Sequence, residues 1–242
     1  MADSVPIVVI CGQVPTGVIG TDAFQEAPIS AIMGSVAKHV FLVTDPDRLE
    51  ATVRTAFEIA ATGRPGPVVI DIPKDVQNWV GEFQGTGLLP IDAYRQRVDA
   101  LVASEISATS AKAFFDMLRE SRRPLVYAGG GVISANAAEA LRRFTARFGL
   151  PVTTTLMGIG AADTTEALSL QMLGMHGTPA ANYAVEDCDF LIAVGARFDD
   201  RVAAIPDKFA PKAKRIAHFD VDPCEIGKVK AVHWHNVGVL DR

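Results

Sequence analysis

The chain has 242 residues, with 23 Lys and Arg against 28 Asp and Glu for a formal net charge of −5, and 49% of it is hydrophobic. That apolar share is enough for a buried core and excludes an intrinsically disordered chain. The mild acidity excludes a basic nucleic-acid or membrane-binding surface. Length allows one large domain or two small ones.

The longest uncharged stretch, 4–21, is interrupted by Pro6, Gly12, Pro15, Gly17 and Gly20, too many breaks for a membrane helix. No signal or transit peptide is visible. Cys11, Cys188 and Cys224 form no C-x-x-C pair, which fits a reducing, cytoplasmic compartment.

In chain order, apolar β-branched runs predict strands at 6–11, 40–44, 67–72, 124–127, 151–154, 190–194 and 215–219. Glycines and helical patterns lie between them, which is the rhythm of parallel-sheet α/β units. The loop after the first strand is long, and Asp22 with Gln25 has the spacing of a capping box. Asp45 as N-cap and Pro46 as first helical residue open a helix that puts Leu49, Val53, Ala56, Phe57 and Ala60 on one face. In Gly63-Arg64-Pro65-Gly66-Pro67 two rigid prolines fix where the Arg64 guanidinium points, and Lys74 sits past the end of the third strand.

Between 80 and 105 the apolar rhythm weakens. The expectation is therefore the end of one domain at 1–80, a linker at 81–105 and a second domain at 106–242, both domains incomplete, as if cut from a longer chain. Helices are predicted over 110–119 and 134–148, the latter with Leu141, Phe144, Thr145 and Phe148 on one face.

Gly129-Gly130-Gly131 joins a strand to a helix, where backbone N–H groups can approach a nucleotide or flavin. The spacing is not G-x-G-x-x-G, so a plain turn is the alternative. Met175-His176, between glycines, suits contact with a flat heteroaromatic ring or is only a turn. Gly195, Arg197, Asp199, Asp200 and Arg201 follow a strand end, where open parallel sheets bind ligands. The alternative gives one aspartate an N-cap role and the arginines surface pairs. Asp220 ends the next strand as a ribose acceptor or a turn former. His233-x-His235 lacks the further donors of a metal shell, so no metal ligand is assigned.

Gln13-Val-Pro15, Gly20-Thr-Asp-Ala-Phe-Gln-Glu26, Lys38-His39, Gly63-Arg-Pro-Gly-Pro67, Asp71-Ile-Pro-Lys-Asp75, Leu156-Met-Gly158, Leu173-Gly-Met-His-Gly177 and Arg197-Phe-Asp-Asp-Arg201 occur in order along almost the whole chain. Together they resemble the catalytic subunit of acetohydroxyacid synthase, or acetolactate synthase, a thiamine-diphosphate-dependent family. The resemblance implies that 1–80 is the C-terminal part of a pyrimidine-binding domain and that 106–242 is a Rossmann-like, FAD-binding middle domain. It implies that Phe24 lines the substrate site, Gln25 lies beside thiamine diphosphate, and Lys38 and Lys74 stand near the substrate entrance. FAD would be held by Arg64, Gly129, Gly130, Gly131, Thr155, Leu156, Met175, His176, Gly195, Arg197, Asp199, Asp220 and Val221, with Asp200 and Arg201 near the same channel. Gly238-Val239 stands where family members often carry Gly-Asp, which removes a carboxylate from that edge.

The implied activity condenses pyruvate with pyruvate or 2-oxobutyrate, with loss of CO2, in branched-chain amino-acid biosynthesis. The glutamate that activates thiamine and the Gly-Asp-Gly signature that holds Mg²⁺ are expected outside this chain, so the chain alone is expected to be inactive. The implied partners are 2-oxo acids and further catalytic subunits in a homodimer or tetramer. A small regulatory subunit is compatible, and no nucleic acid or membrane is expected. The alternative is a stand-alone flavin- or nucleotide-binding module without carboligase activity.

Overall fold

The run Val68–Pro73 is rich in β-branched apolar residues, and it is buried along its whole length. This is what a parallel strand covered on both faces requires. In the computed structural model, which describes residues 1–83, 85 and 87–240, the chain divides into two units, Met1–Val98 and Asp99–Arg242. Gln84 and Thr86 of the expected linker, and Asp241 and Arg242 of the expected second domain, lie outside the described residues.

In the first unit the elements are β1 (Val8–Gln13), α1 (Ile29–Met33), β2 (His39–Leu42), α2 (Leu49–Ala61), β3 (Val68–Pro73) and α3 (Lys74–Gln77). The strands form a parallel sheet in the order β1-β3-β2. Asp45 caps as expected, its side chain accepting the Asp47 N–H at the head of a one-turn 3-10 segment, Pro46–Arg48, that runs into α2. Ala56, Ile59 and Ala60 of α2 then pack on Val68, Ile70 and Ile72.

Phe57 was expected on that face, yet it is 61% exposed, whereas Thr52 and Thr55 are buried. The reason is the chain after β3, which returns across α2: Leu89 donates its N–H to Thr55 Oγ1 at 2.9 Å, and Arg95 pairs with Glu58 at 2.7 Å. The segment expected as a linker thus carries a helix, α4 (Asp92–Val102), and the division between units falls inside it.

The second unit contains α5 (Ala108–Glu120), β4 (Pro124–Ala128), α6 (Gly130–Ser134), α7 (Ala138–Phe148), β5 (Val152–Thr154), β6 (Ser169–Met172), α8 (Pro179–Asp187), β7 (Phe190–Val194), α9 (Asp200–Ala203), β8 (Arg215–Asp220) and β9 (Trp234–Val237). All six strands are parallel, in the order β6-β5-β4-β7-β8-β9. Counted within the unit this is 3-2-1-4-5-6, the doubly wound order, whose switch point lies between β4 and β7. Alternate strand residues feed two cores, Leu125, Tyr127, Leu191 and Ile216 on one face and Val126, Phe190, Ile192 and Ala217 on the other. The parallel α/β class expected from sequence is what forms.

The helix expected over 134–148 is interrupted. α6 stops at Ser134, Asn136 adopts a left-handed φ of 52°, which Asn tolerates better than most residues, and α7 begins at Ala138. Leu141 and Thr145 are buried as expected, while Phe148 stays partly exposed against Phe144 and Phe115.

Candidate functional site

Strand order reverses between β4 and β7, and in such sheets the crevice beyond the carboxyl ends of the strands at this point receives ligands. Four of the sequence-predicted segments meet at that edge: Gly129–Gly131 after β4, Thr155–Leu156 after β5, Gly195–Asp199 after β7, and Asp220–Val221 at the end of β8. The glycines there have a use that the sequence reading did not anticipate. Gly129 donates its N–H to Val194 O and Gly131 to Gly195 O at 3.0 Å. A Cβ on Gly131 would lie 2.7 Å from Gly195 Cα, and one on Gly129 would lie 2.1 Å from Gly195 O. The Gly129 and Gly131 N–H groups therefore do not point at a ligand. These glycines let the loops of β4 and β7 cross in backbone contact.

The Gly195–Asp199 loop carries a strained residue. Phe198 has a φ of 57°, a conformation that costs a bulky side chain about 1–2 kcal/mol. Its ring is buried and packs on Tyr127 and Phe209 at 5.5 and 6.0 Å. With Phe198 turned inward, its neighbours Arg197 and Asp199 come within 3.6 Å of each other, both partly exposed. Asp199 also caps α9 by accepting the Arg201 N–H, so the capping alternative is realised together with the clustering. Asp220 is buried, and its Oδ1 accepts the Asp222 N–H at 2.8 Å, the turn-forming role.

Among the described residues, two cavities of this unit lie at these segments. One of about 260 Å³ is lined by Arg197, Asp199, Asp200, Glu225 and Lys228 among others. The other, about 360 Å³, has Leu156, Ile159 and Met172 as apolar walls and Thr154, Ser169 and His176 as polar ones. Ser169 Oγ is buried there without a hydrogen-bond partner. Met175 and His176 project from a turn clamped by Asn182, which accepts the Gly174 N–H at 2.9 Å and donates to its carbonyl at 3.0 Å. Thr155 accepts the Gly158 N–H and leaves Leu156 exposed. Sequence reading missed Ser169 because it lies on β6, an edge strand too polar to be recognised.

In the first unit, Phe24 and Gln25 sit on a turn, not on a capped helix. Asp22 and Gln25 both have positive φ, 59° and 68°, so the capping-box reading is overturned. Glu26 closes the turn by accepting the Gly20 and Ala23 N–H groups, which hold its carboxyl below the ordinary range. The turn leaves Phe24 89% exposed. Lys74 is exposed at the start of α3, where the adjacent Asp75 accepts the Thr16 N–H and hydroxyl. Arg64 donates to Ser4 Oγ at 3.0 Å.

Lys38, which the resemblance implies stands near the substrate entrance, is engaged within the first unit. Its ammonium donates to Ile59 O, Thr62 O and Tyr94 Oη at 2.5, 2.6 and 3.0 Å. Two of the three hydrogens go to the end of α2, where a helix leaves carbonyls without intrahelical partners, and the third goes to Tyr94 of the returning chain. Lys38→Met is expected to destabilise the first unit by about 2 kcal/mol, read from urea unfolding followed by Trp79 fluorescence in a Trp234→Phe background. An unchanged midpoint would remove this structural role.

Asp71 lies on the central strand, 2% exposed. Its Oδ2 accepts Gln13 Nε2 at 3.1 Å, while Oδ1 is buried without a partner. Burial pushes its carboxyl above the ordinary value, the Gln13 amide partly opposing. The native state therefore holds its proton more tightly than the unfolded chain does. Stability from this group is full below the ordinary carboxylate value and is lost as pH rises through the native one. Asp71→Asn, which keeps an acceptor for Gln13, is expected to flatten that slope and to stabilise the unit at neutral pH by about 1 kcal/mol. Parallel urea titrations at pH 4 and pH 7 measure it.

Among the described residues no group of His, Cys, Asp and Glu is placed to hold a metal ion, and no helix is long and apolar enough to cross a membrane. His233 Nδ1 accepts the Ile216 N–H and His235 is exposed on β9. Burial pushes the Cys188 thiol up to about 12, which leaves it unreactive.

The family model for thiamine pyrophosphate enzymes, central domain, matches residues 111–241. The chain is similar to the acetolactate synthase large subunit of Parasynechococcus marenigrum, 53% identical over 232 residues, covering 93% of this chain and 36% of that protein. It is 48% identical over 233 residues to the chloroplastic acetolactate synthase 1 of Zea mays, covering 96% of this chain and 35% of that protein. It is 47% identical over 236 residues to the acetolactate synthase large subunit of Corynebacterium glutamicum, covering 98% and 37%. The chain thus spans little more than a third of the length of these relatives.

Proposed function

Because this chain belongs to the thiamine pyrophosphate enzymes, through the central domain matched at residues 111–241, we propose that it is the central portion of an acetolactate synthase catalytic subunit. The protein would join pyruvate to a second 2-oxo acid, pyruvate or 2-oxobutyrate, with loss of CO2, as a cytoplasmic homodimer or tetramer open to a regulatory subunit. One observation carries this reading: about half of the residues are identical to acetolactate synthases over more than nine-tenths of the chain. No observation favours the stand-alone module.

The carboxyl edge of the second unit has the chemistry an FAD would need. The larger cavity combines apolar walls with a buried Ser169 hydroxyl that lacks a partner, and Arg197 stands partly exposed at the switch point. Leu156, Ile159 and His176 would flank the flat ring, and Ser169 would hydrogen-bond it. Arg197 would offer its planar donors to a phosphate or ring oxygen. FAD supplies a flat heteroaromatic ring that this family holds without using it for net redox turnover. Gly129 and Gly131 would support the edge from beneath by fixing the two crossing loops. In the first unit, Phe24 and Gln25 would present an apolar ring and an amide toward the substrate and thiamine diphosphate. No residue of this chain is assigned to Mg²⁺.

The test is acetolactate formation from pyruvate by the protein that carries this chain, supplied with thiamine diphosphate, Mg²⁺ and FAD. Product is expected, and its absence in a folded, cofactor-loaded protein would sink the reading. Visible flavin absorbance retained by the purified chain tests the FAD assignment separately.

A further inference from the structure

We propose that His218 is a positioning residue, which holds the Gly195–Asp199 loop in place through the carbonyl of Ala196. His218 lies in the middle of β8, in register with Ala193 of β7, and is fully buried. An apolar side chain would fill this place without the cost of burying an imidazole. What the histidine adds is one hydrogen bond: Nε2 lies 2.8 Å from Ala196 O. A carbonyl can only accept, so Nε2 carries the hydrogen. Nδ1 is buried without a partner, so nothing in the core rewards the opposite tautomer. Asp220 Oδ2, on the same face of β8, is 3.7 Å from Nε2, beyond bonding distance.

The same ring also meets the strained residue of the loop. Phe198 packs edge-on against it, centroids 5.2 Å apart at 85°. His218 thus touches the loop on both sides of Arg197, at the Ala196 carbonyl and at the Phe198 ring. Ala196 is itself buried against the Gly129 backbone, so the Nε2–H bond fixes the point from which Arg197 and Asp199 project. A strained φ persists only where its surroundings over-determine it; Tyr127 and Phe209 hold the Phe198 ring, and His218 adds both a ring contact and the bond to the neighbouring Ala196 carbonyl.

Taking that loop as a flavin contact rests on the function proposed above. The first experiment is independent of it: amide hydrogen exchange of the full chain without flavin. His218→Leu is expected to raise exchange at Arg197–Asp199 about tenfold, with the β4 amides unchanged, and His218→Gln, which keeps an N–H donor of similar reach, is expected to restore protection. Exchange equal to wild type in the leucine variant, or no recovery in the glutamine variant, overturns the proposal. Where the leucine variant does not fold, imidazole ¹⁵N shifts of the wild-type chain decide. The Nε2–H tautomer is expected, and hydrogen on Nδ1 refutes it. FAD affinity, by flavin fluorescence quenching, should fall about tenfold in His218→Leu and recover in His218→Gln. Failure of the wild-type chain to bind FAD would instead refute the flavin assignment and leave the exchange result standing.

Discussion

Replacing Gly195 with alanine is expected to cost the second unit about 3 kcal/mol and to open the carboxyl edge of its sheet. Two physical terms combine at this residue. Its φ of 58° is strained for any residue with a Cβ, and the added methyl would lie 2.7 Å from Gly131 Cα and 2.9 Å from Val132 N. Both neighbours are backbone, so no side chain can swing aside to relieve the contact. Relief requires the two loops to separate, which breaks the bond from the Gly131 N–H to Gly195 O. Unfolding in urea, followed by Trp234 fluorescence in a Trp79→Phe background, measures the cost. Gly149→Ala is the control, because its φ of 61° is similar but nothing lies within 4 Å of its added methyl. The control should lose only the strain, about 1 kcal/mol. Equal losses at the two positions would show that the loop crossing contributes nothing.

The sheet was legible where it is most buried. β7 forms at Phe190–Val194, the predicted run, and its neighbour β4 differs by one residue, because strands covered on both faces must be apolar throughout. β6 and β9 were missed because they are the two edges of the sheet. Their sequences, Ser-Leu-Gln-Met and Trp-His-Asn-Val, face solvent in part and carry the polar residues an edge permits. Phe57 was misplaced for a different reason. Periodicity identifies a helix face, but the chain returning through Leu89 buried the threonine side of α2, and sequence spacing does not report that contact.

The candidate site was legible as a set of segments and not as a set of contacts. Strand-end position was enough to find Gly129, Arg197 and Asp220. The pattern did not reveal that the glycines face each other across two loops, or that Lys38 is occupied with the end of α2. His218 gave no signal, since a histidine inside a strand reads as an exposed position until the packing on both faces is known.

Phe114→Ala is expected to be at least as destabilising, by about 4 kcal/mol. Phe114 projects from α5, is 4% exposed, and has ring centroids of Phe190, Phe219 and Trp234 at 5.8, 5.5 and 5.2 Å. It therefore touches β7, β8 and β9 at once, in a layer that cannot collapse because each partner is anchored on a different strand. Trp234 is additionally tied to α5 by its indole N–H, which donates to Ser110 O at 2.9 Å. Deleting the Phe114 ring leaves a cavity and removes several aromatic pairs, each worth about 0.5–1.5 kcal/mol beyond area burial. Phe114→Leu should recover about half of the loss. Phe219, the residue before Asp220, is one of the freed partners, so the variant should also loosen the turn that Asp220 closes at Asp222. Urea unfolding supplies the stability, and amide exchange at Val221 and Asp222 reports the turn. A loss in stability with those amides unchanged would confine Phe114 to the core and uncouple it from the carboxyl edge.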